Sequence, residues 1–579
     1  MEEKMKKLLT VAAVIFGLIV PSVANSASKP DEQWVAPSNY AADMQGYVVS
    51  ESNMLSNQGS FFINFTTADG TVNGKVTKVA ACNSVADKDC AFTVAAQYRA
   101  VIPMCSTDTE LNCIASVIAK DADGKELAVT QAGQYPTHRL QDFAADPSIN
   151  LPAGGGAALL NIPGAPHDGG TQYLLKVTLI GSRQPESQDG FGRPSLQSTF
   201  FAIKTVNGTY GDISANTDAA NYDSINRISG NDTQGYASTS DRTLCVVKSQ
   251  TECGLAYPMP EGITLGYTLR LARPVVGWLH GRMKGPVINL KSNPNGSQSI
   301  SVEAKPIHVP SVFAWAKNAE ISSELKTFYS DKQWSGSALR FGSIPNGPTP
   351  LSDAEKTPEG LKSISYQHVG AQFNAVGMQE FLLWLPQMKD TSAANPSMWT
   401  LNSMRSNGNP QDNVGKCLNQ TDSLAGVVTT NSTMYIDGPP TYIASQGTLD
   451  YKVAATHFEP DGKTVFKGTY DLVMSSKVAR CIYGFTSAPV SATVSVTSAS
   501  GEPDVATIVV SENAGWLSLG AYNFTYSNPT IQVKLTQAAP VVAPAPVVKK
   551  SVSQSIICVN GKKTKKVTTA TCPKGWKKK

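Results

Sequence analysis

Three pairs of cysteines repeat one spacing, with seven residues between the members of each pair: Cys82 and Cys90 (CNSVADKDC), Cys105 and Cys113 (CSTDTELNC), Cys245 and Cys253 (CVVKSQTEC). Each nine-residue loop lies between apolar, strand-like runs and holds polar or charged residues inside. A disulfide brings two Cα atoms to within about 6 Å. The spacing therefore predicts β-hairpin tips clipped by disulfides. The chain has ten cysteines, an even number. The remaining four pair by spacing as Cys417 with Cys481 and Cys558 with Cys572. A crossed pairing among Cys82, Cys90, Cys105 and Cys113 stays open at this point. In the chain-entropy description, each nine-residue closure contributes about 2.5 kcal/mol and the Cys417 to Cys481 closure about 4 kcal/mol. Zinc ligation is disfavoured, because zinc ligand pairs stand two to four residues apart and no histidine adjoins these loops.

Even parity and repeated spacing point to an oxidising compartment, and the first residues agree. Lys4, Lys6 and Lys7 precede an apolar run from Leu8 to Val20, which Pro21 ends. The run is short for a membrane span. Small residues follow, so residues 1–27 read as a secretory signal, cleaved after Ala24 or Ala27. An uncleaved anchor is the alternative. No other apolar run approaches about 18 residues, and no transmembrane span is expected after signal removal.

Residues 28–537 predict a mainly β fold: two or three antiparallel β-sandwich-like domains with one short helix. Gly (46) and Pro (35) are plentiful and charged residues make up only 16%, which suits many short strands joined by turns. The expected divisions are 28–235, with two cysteine loops; 236–310, with the third; and 311–537, a helix followed by a further sandwich. Residues 314–330 carry the helix, on the stripe Ala316, Ala319, Ile321, Leu325 and Phe328. Asp121 to Gly124 predicts a tight turn rather than a calcium loop. Alternation in Thr493 to Thr497, Asn523 to Tyr526 and Ile531 to Thr536 predicts an antiparallel meander.

Residues 538–552 form a Pro, Ala and Val linker. Its Ala538 to Val548 stretch (AAPVVAPAPVV) spans up to about 34 Å in an extended polyproline conformation. Beyond it, residues 553–579 make a small basic hairpin, with a turn at Asn560-Gly561. The net charge of +4 is unevenly divided: from Lys549 onward there are ten lysines and no acid, and residues 28–548 carry −7. An acidic body thus carries a cationic tail, which implies an anionic partner. Lys562, Lys563, Lys565, Lys566, Lys574, Lys577, Lys578 and Lys579, with Trp576 among them, are the candidate contacts. An anionic cell-wall polymer or a surface glycan is the expected partner, and no nucleic acid is expected.

The tail resembles one carried by secreted actinobacterial proteins, with the pattern Cys-Val-x-Gly-Lys, then Lys-Lys-Val-Thr, then Cys-Pro-x-Gly-aromatic-Lys-Lys. Cys558, Val559, Gly561, Lys562, Lys565 to Thr568, Cys572, Pro573 and Gly575 to Lys578 match it. In the body, Cys113 to Val117, Trp278 to Arg282 and Ala479 to Phe485 are similar to such proteins too. The resemblance implies compartment and lineage, not a chemistry.

Catalytic motifs do not emerge. Six histidines are scattered without metal-ligand spacing, and there is no nucleophile elbow, His-Glu-x-x-His or phosphate-binding glycine loop. No cofactor is expected. His167-Asp168 reads as a polar loop. Glu380, before Phe381 to Trp384, reads as a solvated strand-end acid, with a general acid as the sharper alternative. Asp461-Gly462 reads as a turn. Trp278, Trp315, Trp334, Trp384 and Trp399 read as core rather than a sugar platform. The function expected is a secreted or cell-surface, non-enzymatic structural or adhesive protein. The alternative is a secreted carbohydrate-binding or carbohydrate-hydrolysing protein.

Overall fold

The computed structural model describes residues 44–50, 59–67, 76–87, 95–139, 142–183, 190–208, 245–249, 251–317, 319–330, 366–370, 372–373, 375–404, 417, 423–436, 438–486, 490–497, 503–504, 507–526, 530–537 and 555–579. The signal, the linker, Cys90 and Trp334 lie outside them. The chain divides into a large unit, Met1–Thr536, and a small one, Gln537–Lys579.

The large unit is mainly β, as expected. Its main sheet runs Thr507–Asn513, Trp516–Thr525, Lys467–Ser475, Leu424–Thr430, Gly277–Arg282, Ser397–Ser403, Ser195–Asn207, Gln172–Arg183, Ala95–Val101, Phe61–Thr67, Val76–Ala81. Pairing is antiparallel except between Gly277–Arg282 and Leu424–Thr430. The sheet takes strands from all three segments that the sequence divides, so residues 235 and 310 are not boundaries between sheets. Nothing local in the sequence marks this, because each join is a pairing between distant strands.

A four-stranded sheet, Lys284–Ser292, Gln298–Lys305, Thr264–Leu271 and Cys113–Lys120, shares a core with one face of the main sheet. Trp399 anchors that core: Phe200 meets it edge-on at 5.0 Å, Tyr267 lies 5.7 Å away, and its indole N–H donates to the Ala304 carbonyl at 3.0 Å. A second core lies on the opposite face, toward the other end of the main sheet. It includes Trp278, Tyr47, Phe381 and Trp384. Trp278, Trp384 and Trp399 are all buried; the side chain of Trp315 lies outside the described residues.

The expected helix over 314–330 divides. Val312–Lys317 is a strand paired with Met44–Ser50, and the helix is Ser323–Ser330. Val312, Ala314 and Ala316, which share one face of the strand, are all buried, while Ala319 of the expected stripe is exposed. Instead of one helix, the described residues hold three. Ala375–Trp384 is apolar on almost every side, which gave no stripe to read. Ser476–Tyr483 ends where Gly484 takes a left-handed conformation (φ 65°) and donates to the Arg480 carbonyl, a glycine stop.

The disulfide loops are also corrected. Cys105–Cys113 and Cys245–Cys253 are formed, with Cα atoms 5.0 and 5.3 Å apart. This excludes the crossed pairing; Cys82 is disulfide-bonded too. Only the Cys245 loop is described as a hairpin tip, between Cys245–Lys248 and Glu252–Tyr257. The Cys105 loop carries the chain from Ala95–Val101 in the main sheet to Cys113–Lys120 in the four-stranded sheet. The segment after Cys82 joins Val76–Ala81 to Ala95–Val101, which flank Phe61–Thr67 on opposite sides. One spacing therefore serves a hairpin and a crossover between sheets, because a disulfide needs only two nearby Cα atoms. The meander also changes. Asn523 lies in the main sheet, whereas Val490–Thr497 and Thr530–Gln537 lie in a seven-stranded sheet.

Candidate functional site: a lysine-rich clasp and a buried polar floor

The small unit is a three-stranded sheet in the order Lys563–Val567, Ile556–Asn560, Lys577–Lys578. Cys558 of the central strand bonds to Cys572, with Cα atoms 5.7 Å apart. Asn560 pairs with Lys563, so the two turn residues are Gly561 and Lys562, one place later than the sequence suggested. Gly561 has φ 61°, the conformation a first turn position requires in a hairpin of this kind. Lys562, Lys563, Lys565, Lys566, Lys574, Lys577, Lys578 and Lys579 are all exposed, and Trp576 is half-buried. The segment 555–579 contains no acidic residue. Its only fully buried side chain is Cys558. The disulfide thus takes the place of a hydrophobic core.

In the large unit, the face of the main sheet that carries the second core has a polar middle that the sequence did not single out. Two cross-strand rows run side by side. Lys176, Thr199, Thr400 and Arg282 form one, and Thr178, Gln197, Asn402 and His280 form the other. All but Gln197 are buried. Arg282 donates to the Thr430 carbonyl at 2.9 Å and stands over the Tyr435 ring, 4.7 Å from its centroid. Burial and the adjacent Arg282 hold His280 well below the usual histidine range, so the imidazole is neutral. Burial, with a smaller contribution from Arg99, pushes Lys176 down to about 7. The signal in the sequence was present but weak: polar residues at alternate positions of four strands look like solvated faces.

Buried carboxylates hold structure together. Asp471 accepts from the Thr429 hydroxyl (3.1 Å), the Gly285 N–H (3.1 Å) and the Tyr522 hydroxyl; burial nevertheless keeps it above the usual range. Glu252 accepts from the Thr137 N–H and hydroxyl, the His138 N–H and the Ser249 hydroxyl. Burial acts to raise Glu252, but these bonds outweigh it and set the group below its ordinary value. Glu380, expected at a solvated strand end, is fully buried on the helix Ala375–Trp384, where its charge raises Tyr47 further than burial alone does.

The other sequence candidates are turns. His167 pairs its Nε2 with the Gln172 carbonyl at 2.8 Å, while the Gly169 N–H donates to Nδ1 at 3.1 Å. Asp461 accepts from the Lys463 and Thr464 N–H groups, each at 2.8 Å. Asp121 accepts from the Asp123 and Lys125 N–H groups. Among the described residues no group of three or more His, Cys, Asp or Glu gathers as a metal site, and no helix is long and apolar enough to cross a membrane. Compared with known proteins, the chain matches no family model, no curated protein and no solved structure.

Proposed function

We propose that the chain is a secreted, non-enzymatic protein, structural or adhesive, held at an anionic surface of the cell envelope by its C-terminal clasp. The observation that carries this reading is the clasp itself. Eight exposed lysines and no acid sit on 25 residues that a disulfide keeps folded. Each exposed lysine adds a small, salt-screened attraction, and a rigid sheet presents them together. Four disulfides within the described residues fit an oxidising, extracellular compartment. A sugar platform is not favoured, because Trp278, Trp384 and Trp399 are enclosed in the two cores.

Cell fractionation tests the reading. The full chain is expected in the envelope fraction and is expected to leave it in high salt. A chain lacking residues 549–579 is expected in the medium. Cell association that survives both treatments rejects retention by the clasp.

A further inference from the structure

The sheet register divides the lysines of the clasp between two unlike faces. Residues paired directly across neighbouring strands point to the same side of a sheet. Cys558 lies opposite Lys565 on one neighbour and Lys578 on the other, and Asn560 lies opposite Lys563. That face is closed over by the disulfide: Cys558 is fully buried and bonded to Cys572.

The other face is open. Ile557 lies opposite Lys566, and the Lys579 N–H donates to the Ile557 carbonyl at 2.9 Å, which continues the register on the far strand. Val559 lies opposite Thr564 and Lys577. Ile557 is 45% exposed although it sits on the central strand. This face is therefore an aliphatic centre framed by Lys566, Lys577 and Lys579.

We propose that this open face docks on an anionic phospholipid surface, with Ile557 entering the headgroup boundary and the three lysines meeting lipid phosphates. The inference rests on the envelope-retention reading and names the partner of the same site. A soluble polyanion has no use for an exposed isoleucine on the contact face. An interfacial lipid site uses apolar and cationic groups together.

The test uses the oxidised full-length protein and vesicles of equal parts phosphatidylglycerol and phosphatidylcholine. Vesicles of phosphatidylcholine alone and soluble polyphosphate serve as comparison arms. Lys566→Glu/Lys577→Glu and Lys563→Glu/Lys565→Glu change charge equally on opposite faces. The first pair is expected to lower partitioning at least about tenfold more than the second. Ile557→Ser is expected to weaken vesicle binding and leave polyphosphate binding unchanged. Thiol titration confirms that each variant keeps its disulfide. Equal effects of the two charge pairs, an Ile557→Ser protein that binds vesicles as well as wild type, or binding to polyphosphate without binding to anionic vesicles would each overturn the proposal. These outcomes leave retention itself standing, provided that deletion of residues 549–579 still releases the protein from cells.

Discussion

His280 lies flat against Tyr435, with ring centroids 3.5 Å apart and planes 9° from parallel. Its strand places it beside Arg282, and burial and that cation keep the imidazole neutral in the fold. An unfolded histidine titrates near 6.5. A folded value below the unfolded one leaves stability whole above about pH 6.5 and removes it as pH falls toward the folded value. Denaturant midpoints are expected to drop between about pH 7 and about pH 5. The drop should shrink, though not vanish, in His280→Phe, since His167 is shifted in the same direction by burial. An identical drop in wild type and variant would exclude His280 as the source.

Asp471 ties Gly285, in the irregular start of the strand Lys284–Ser292, to the strands of Thr429 and Tyr522. Asp471→Ala leaves three donors without their acceptor and is expected to destabilise the large unit by about 3–5 kcal/mol. Asp471→Asn keeps an acceptor and is expected to lose about 1–2 kcal/mol. Urea unfolding of the two variants checks the order; equal losses would mean that the charge, not the acceptor, matters.

Glu252 fastens residues 137–138 to the Cys245–Cys253 hairpin through three hydrogen bonds, and the Ser249 hydroxyl adds a fourth within the loop. Glu252→Ala is expected to loosen that loop at a loss of about 2–3 kcal/mol. Limited proteolysis reads this directly: faster cleavage near Thr137 is the expected result, and an unchanged pattern speaks against the tether. Because the folded group titrates below its unfolded value of 4.5, its contribution is present above that pH and disappears as pH falls through the folded value.

Replacement of Cys558 and Cys572 by serine removes about 3 kcal/mol of loop-closure stabilisation from a sheet with no other buried side chain among the described residues 555–579. Amide hydrogen exchange in Ile556–Asn560 and Lys563–Val567 is expected to reach the unprotected rate while the large unit keeps its protection. Persistent protection in those two strands would show that the lysine sheet stands without its clasp.

Legibility in the sequence followed the range of the interaction. The turns at Asp121 and Asp461 were readable because an Asx side chain bonds to N–H groups two to four residues away. Val494, Val496, Ile531, Val533 and Leu535 were readable as inward-facing by alternation, and all are buried. The helix Ala375–Trp384 was not readable, because apolar residues on almost every side leave no periodic stripe. Glu380 was misplaced for the same reason. The polar floor was only faintly readable: Lys176, Thr199, Arg282 and Thr400 span 224 positions of the chain and become neighbours only through strand pairing.

By itself, then, the sequence determined the cysteine spacing, the β character and the cationic tail, each a property of residues close together or of composition. Tertiary structure alone decided what each cysteine loop does. The same nine-residue closure is a hairpin tip at Cys245, where the two flanks pair with each other, and a passage between two sheets at Cys105, where each flank pairs instead with strands distant in the chain. It also decided which lysines share the open face with Ile557, since strand register assigns side chains to faces and a shift of one residue would exchange them.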